Sequence, residues 1–209
     1  MALVKYNNNS ISAVTATGLA SGSLVLIKTL TASSSGTLSF VHGTDGVVLD
    51  STYPIYKFEF INIHPATNNA KFQFNFSVDA GSNYNVTKTT TFFQAYNSEH
   101  SNGQNVAYSA GNDVAQSTSY ANISSEVSNQ NDAHTSGSLT FFNPSSSVFV
   151  KHFMCRMVID NNYYAQDEYI AGYGNTTSDI DGISFKFSSG NIDSGKIKLY
   201  GIKDSWWAL

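Results

Sequence analysis

The run Asn161-Asn162-Tyr163-Tyr164-Ala165-Gln166-Asp167-Glu168-Tyr169 brings aromatic rings, side-chain amides and two adjacent carboxylates close together in the chain. Rings of this kind stack on the apolar faces of sugars, and amides and carboxylates hydrogen-bond hydroxyls. The same residues would also serve as a tyrosine-bearing loop packed on its own domain or on a neighbouring subunit, and that plainer reading is preferred. Tyr163, Tyr164 and Tyr169 are therefore candidates for partner contact. Asp167 and Glu168 alone cannot flank a glycosidic bond as a catalytic pair, because neighbouring residues on a strand point to opposite faces. A second aromatic feature is Trp206-Trp207. Two large amphipathic rings close to a terminus order it by folding back or by touching another chain. Both options stay open for Trp206 and Trp207.

Other chemistry is weakly signalled. His42, His64, His100, His134 and His152 are dispersed and lack the spacing of zinc ligands. Asp179-Ile180-Asp181-Gly182 begins like an oxygen-ligand loop but has no later acidic residue and leads straight into a strand, so a turn with solvated carboxylates is expected. No nucleophile elbow or phosphate-cradling glycine loop is present. Cys155 is the lone cysteine and sits in the apolar run Phe153-Met154-Cys155-Arg156-Met157-Val158, which reads as a buried thiol and excludes an intrachain disulfide. The expectation is a protein with no catalytic residues, no metal and no cofactor.

Charge narrows the partners. The formal net charge is −4 and Arg156 is the sole arginine, whereas a nucleic-acid face needs clustered Lys and Arg. No stretch approaches the roughly 20 apolar residues of a membrane helix, and the opening residues lack the basic start and apolar core of a leader, so synthesis in the cytosol is expected. Only 12% of residues are charged, with solubility left to Ser, Asn, Thr and Gly. Such a surface loses less on desolvation than one rich in Lys and Glu, which suits permanent subunit packing. Sequons at Asn8, Asn75, Asn85, Asn122 and Asn175 are the chance yield of this composition.

The elements that must hold these residues are strands. Lys71-Phe72-Gln73-Phe74-Asn75-Phe76-Ser77-Val78 alternates strictly, so one face is apolar and must be buried. The same period recurs in Tyr56-Lys57-Phe58-Glu59-Phe60, in Ile183-Ser184-Phe185-Lys186-Phe187 and, more weakly, in Lys196-Ile197-Lys198-Leu199-Tyr200. Further strands are expected over Ser23–Leu30, Thr37–Val41, Thr87–Tyr96, Ser138–Phe142 and Val148–Val158, the last apolar on both faces and so central. Thr31-Ala32-Ser33-Ser34-Ser35-Gly36 reads as the turn of a hairpin, and His64-Pro65-Ala66-Thr67-Asn68-Asn69 as a turn between two antiparallel neighbours. Residues 97–137 form a long polar insertion, in which Ser117–Val127 reads as a short helix or a loop bearing a helical turn. The fold class is all-β: an antiparallel β-sandwich, jelly-roll-like, of about eight to ten strands. Residues 1–22 are a polar N-terminal arm, and 23–209 a single sandwich domain.

Leu26-Ile27-Lys28-Thr29-Leu30-Thr31-Ala32-Ser33-Ser34-Ser35 and Ser188-Ser189-Gly190-Asn191-Ile192-Asp193-Ser194-Gly195-Lys196-Ile197-Lys198-Leu199-Tyr200-Gly201-Ile202-Lys203 resemble uncharacterised virion structural proteins of marine tailed bacteriophages. Phe60-Ile61-Asn62-Ile63-His64-Pro65-Ala66 and Leu139-Thr140-Phe141-Phe142-Asn143-Pro144 extend the likeness through the middle of the chain. The ending Asp204-Ser205-Trp206-Trp207-Ala208-Leu209 departs from the familiar stop shortly after the Tyr-Gly-Ile-Lys element. The resemblance implies a virion component, made in the bacterial host cytoplasm and placed on a capsid as a decoration or head fibre, or else on a tail fibre that reads host surface glycans. It carries over no catalytic motif. Its implied partners are other virion proteins and further copies of the chain, with a trimer favoured by the cyclic assembly of phage fibres and decorations.

Overall fold

The computed structural model describes residues 23–100, 103–161 and 163–204. The arm expected over residues 1–22 and the Trp206-Trp207 pair lie outside them. The described chain is an antiparallel β-sandwich of twelve strands: β1 (Leu24–Thr31), β2 (Leu38–Val41), β3 (Ile55–Pro65), β4 (Ala70–Ser77), β5 (Lys88–Ser98), β6 (Gln104–Tyr108), β7 (Ala121–Val127), β8 (Thr135–Phe142), β9 (Lys151–Asp160), β10 (Tyr164–Gly174), β11 (Gly182–Phe187) and β12 (Ile192–Ile202). One sheet runs β1-β12-β3-β8-β9-β10-β5-β6 and the other β2-β11-β4-β7.

The alternation in β4 does what its period requires. Phe72, Phe74 and Phe76 are fully buried between the sheets. Facing them are Phe58, Phe60, Phe141 and Phe153 from the large sheet, with Phe185 beside them on β11. Phe185 lies 5.2 Å from Phe60 and 5.3 Å from Phe58, centroid to centroid, and Phe74 meets Phe153 at 4.9 Å in an edge-on contact. Each such ring contributes a few kcal/mol through the area it removes from water.

Pairing differs from expectation in two places. β1 pairs with β12 and β2 with β11, so the turn between them crosses from one sheet to the other and makes no hairpin. β3 and β4 face each other across the core: β3 pairs with β12 and β8, and β4 with β11 and β7. The intervening turn carries Asn69 at φ 57°, a left-handed geometry that asparagine tolerates.

The polar stretch over 97–137 is no insertion. It supplies β6 and β7, and Ala121–Val127, within the stretch whose sequence suggests a short helix or a helical turn, is a strand hydrogen-bonded to β4. β9 is central, as expected, but only one of its faces is buried. Met154 and Val158 are 57% and 54% exposed, on the same side as His152 and Arg156.

The side of β4 away from the core is covered too. Asn75 is fully buried, donating through Nδ2 to Tyr84 O at 2.6 Å and Thr118 O at 2.9 Å, so its sequon is closed in the folded chain. Its Oδ1 accepts from Lys88 Nζ at 2.7 Å, and the same ammonium donates to Val86 O at 3.0 Å and Ser119 O at 2.7 Å. Burial pulls Lys88 down to about 7, while three oxygens match the three donors of its charged form.

Candidate functional site

The outward face of the large sheet carries the one tyrosine of the candidate loop that meets chemistry of its own. Arg156 on β9, Tyr169 on β10 and Phe93 on β5 stand opposite one another in register. The Arg156 guanidinium lies 4.9 Å from the Tyr169 ring centre on one side, and Phe93 stacks on the other at 5.0 Å with the rings 4° apart. Both faces of the Tyr169 ring are therefore covered, and it cannot act as a sugar-stacking platform. Tyr169 packs on its own sandwich, between Arg156 and Phe93.

Asp167 braces this stack. Arg156 donates to it from Nε at 2.8 Å and Nη2 at 2.6 Å, and Tyr169 O–H donates to its Oδ2 at 3.0 Å. The bonds from Arg156 lead the causes that hold the Asp167 carboxyl below its usual range, and the carboxylate in turn raises Arg156. In line with Phe93, Tyr108 on β6 extends the row and donates its O–H to Asp113. The row makes a ridge across the strands. On one side is a shallow depression of ≈ 370 Å³, floored by Thr91, Ser138, Thr140 and Ala171 beside Met154. On the other, Ala95 and Ala165 floor a second depression of ≈ 410 Å³ between Val106 and Val158.

Glu168 points the other way, as its neighbour's alternation demands. It is fully buried toward β7, where Ser125 N donates to both carboxylate oxygens at 3.0 and 3.1 Å. Burial nevertheless pushes its pKa up to about 7. Gln94, opposite Glu168 on β5, has a buried Oε1 without a donor among the described residues, and a protonated Glu168 brings an O–H to that neighbourhood. Cys155 is buried as expected, and its thiol is pushed well up by desolvation, with the nearby Glu168 charge acting the same way.

Tyr163 and Tyr164 do not join Tyr169. They sit at the far end of β10, where Tyr164 meets Tyr96 edge-on at 5.7 Å and Tyr163 lies 5.1 Å from His100. By strand alternation Tyr164 is on the face opposite Tyr169. Sequence reading missed Phe93, Met154, Val158 and Val106, since each gains meaning from a neighbour in another strand; the sole arginine was the available signal. Among the described residues no three His, Cys, Asp or Glu side chains converge as metal ligands would. The outer face offers packing area and hydrogen bonds, which is the chemistry of association. The chain matches no protein-family model, no curated protein and no solved structure.

Proposed function

We propose that this chain is a non-enzymatic structural subunit on the exterior of a tailed-phage particle, as a capsid decoration or head fibre. The chain path is the observation that carries this reading. With β1, β12 and the β9–β10 hairpin that stands between β8 and β5 set aside, the remaining strands are β2-β11-β4-β7 in one sheet and the pairs β3-β8 and β5-β6 in the other. We read this repeated crossing between two sheets as the path of a jelly roll enlarged by four strands, an architecture common in viral capsid and lectin domains. The sequence resemblance to virion proteins, the low charge and the half-apolar outer face support the same reading, because a subunit held permanently among others needs packing area more than solvation.

The test is electron microscopy of purified particles carrying a tagged copy of the chain. Regularly spaced density on the head, labelled through the tag, is the expected result. Absence of the chain from purified particles would overturn the proposal. Label confined to the tail would favour the second reading, a tail-fibre subunit recognising host surface glycans, which the Phe93, Tyr108 and Arg156 side chains exposed around the two depressions support.

A further inference from the structure

The eight-stranded sheet ends in β1 on one side and β6 on the other, and the two edges are built differently. β1 carries Lys28 and breaks register between Leu26 and Lys28, so a charge and a bulge stand in the way of an incoming strand. β6, Gln104-Asn105-Val106-Ala107-Tyr108, has no charged residue and no proline, and it pairs with β5 without a bulge. The bonds from Ser98 N to Gly103 O and from Ser109 N to Phe92 O set its phase. Hydrogen-bonded pairs alternate along an antiparallel ladder, so Asn105 and Ala107 turn their main-chain groups to β5, while Gln104, Val106 and Tyr108 turn theirs outward. No described residue meets those outward groups. Val106 is 73% exposed and Tyr108 55%.

We propose that β6 pairs with β6 of a second copy of this chain, antiparallel about a two-fold axis at Val106. The register favours a second copy over any other strand. With Val106 opposite its mate, Gln104 falls opposite Tyr108, and all three are outward-bonding positions, so each strand satisfies the other with nothing left over. β6 itself carries no charge to set identical strands against each other; the carboxylate in contact with it, Asp113, already accepts from Tyr108 O–H, and Asp167 on the same face is paired with Arg156. On that face Val106 packs on its mate, and Tyr108 covers Gln104 of the second copy. An isologous contact closes on itself, uses up both β6 edges and leaves only the guarded β1 edges at the ends of the joined sheet, which answers the hazard of an unguarded strand. The result is a two-fold pair in place of the trimer expected from cyclic assembly, and it holds whatever particle the chain belongs to.

The test combines native mass measurement with amide hydrogen exchange on the full chain at low and high concentration. A dimer is expected, with exchange at Gln104, Val106 and Tyr108 slowed by roughly tenfold or more as it fills. Val106→Pro removes only an outward N–H and leaves the ladder to β5 intact, and Val106→Lys adds the charge that guards other edges. Both variants are expected to be monomeric with wild-type circular dichroism, melting as the wild type does at concentrations too low for the dimer. A wild-type chain that stays monomeric or forms trimers at every concentration would overturn the proposal, as would a dimer that survives both substitutions. Protection that is independent of concentration and is lost on deleting residues 1–22 would place the chain's own N-terminal segment at this edge and would overturn it too.

Discussion

Glu168 makes the clearest single-residue prediction, because its burial and its neighbours fix the sign of a pH effect. Its carboxyl titrates at about 7 in the folded chain against 4.5 unfolded, so between those values the native state holds a proton that the unfolded chain has lost. The stability this contributes is complete below 4.5 and falls as pH rises to about 7, where it levels off. Glu168→Gln removes the titration and keeps an acceptor for Ser125 N. The stability of E168Q relative to wild type is expected to rise by about 3 kcal/mol across that interval. Urea unfolding of both proteins at several pH values measures the difference and cancels every other titrating group. A pH-independent difference would show that Glu168 is charged throughout. The Arg156–Asp167 pair, more than half exposed at the arginine, contributes little by comparison and serves to hold the guanidinium over Tyr169.

At the scale of elements, β4 bears the core and its register was legible from residues alone. The opposite register would expose Phe72, Phe74 and Phe76 and bury Lys71 and Gln73. Phe74→Ala should therefore cost roughly 3 to 5 kcal/mol, read as a lowered denaturation midpoint at unchanged slope; a loss below about 1 kcal/mol would mean the ring is not buried in solution. Period two tells which face of a strand is buried and is silent about its partner. For that reason β3 and β4 read as neighbours although they oppose each other across the core, and β1 and β2 read as a hairpin although each pairs elsewhere. β7 was illegible for a second reason. Between Lys71 and Gln73 of its partner β7 runs from Glu126 to Asn122, four residues against two, so β7 itself bulges and the alternation that begins Ala121, Ile123 is broken. β6 lies at an edge with no buried face, so its sequence carries no pattern at all. The Arg156–Tyr169–Phe93 stack shares this limit, since it joins three strands whose order in the sheet no local pattern encodes.

At the scale of the whole molecule, the twelve strands found among the described residues run from Leu24 to Ile202 and already close a packed core between two sheets. Residues 1–22 lie outside the described residues; by sequence they are too polar to supply a core, and deleting them should leave the cooperative unfolding of the sandwich and its circular dichroism unchanged. On the proposed particle the same residues are free to serve as an anchor, being polar, nearly uncharged and too poor in large apolar side chains to build a core of their own. The expected outcome of the deletion is a soluble sandwich, melting within a few degrees of the full chain, that no longer attaches to particles. Quantitative occupancy on purified particles, with the full chain and the truncated one supplied in parallel, measures this directly. If the truncated chain decorates particles at the occupancy of the full one, the N-terminal segment is not the anchor, and attachment belongs to the outer face around Phe93 and Arg156 or to Trp206 and Trp207.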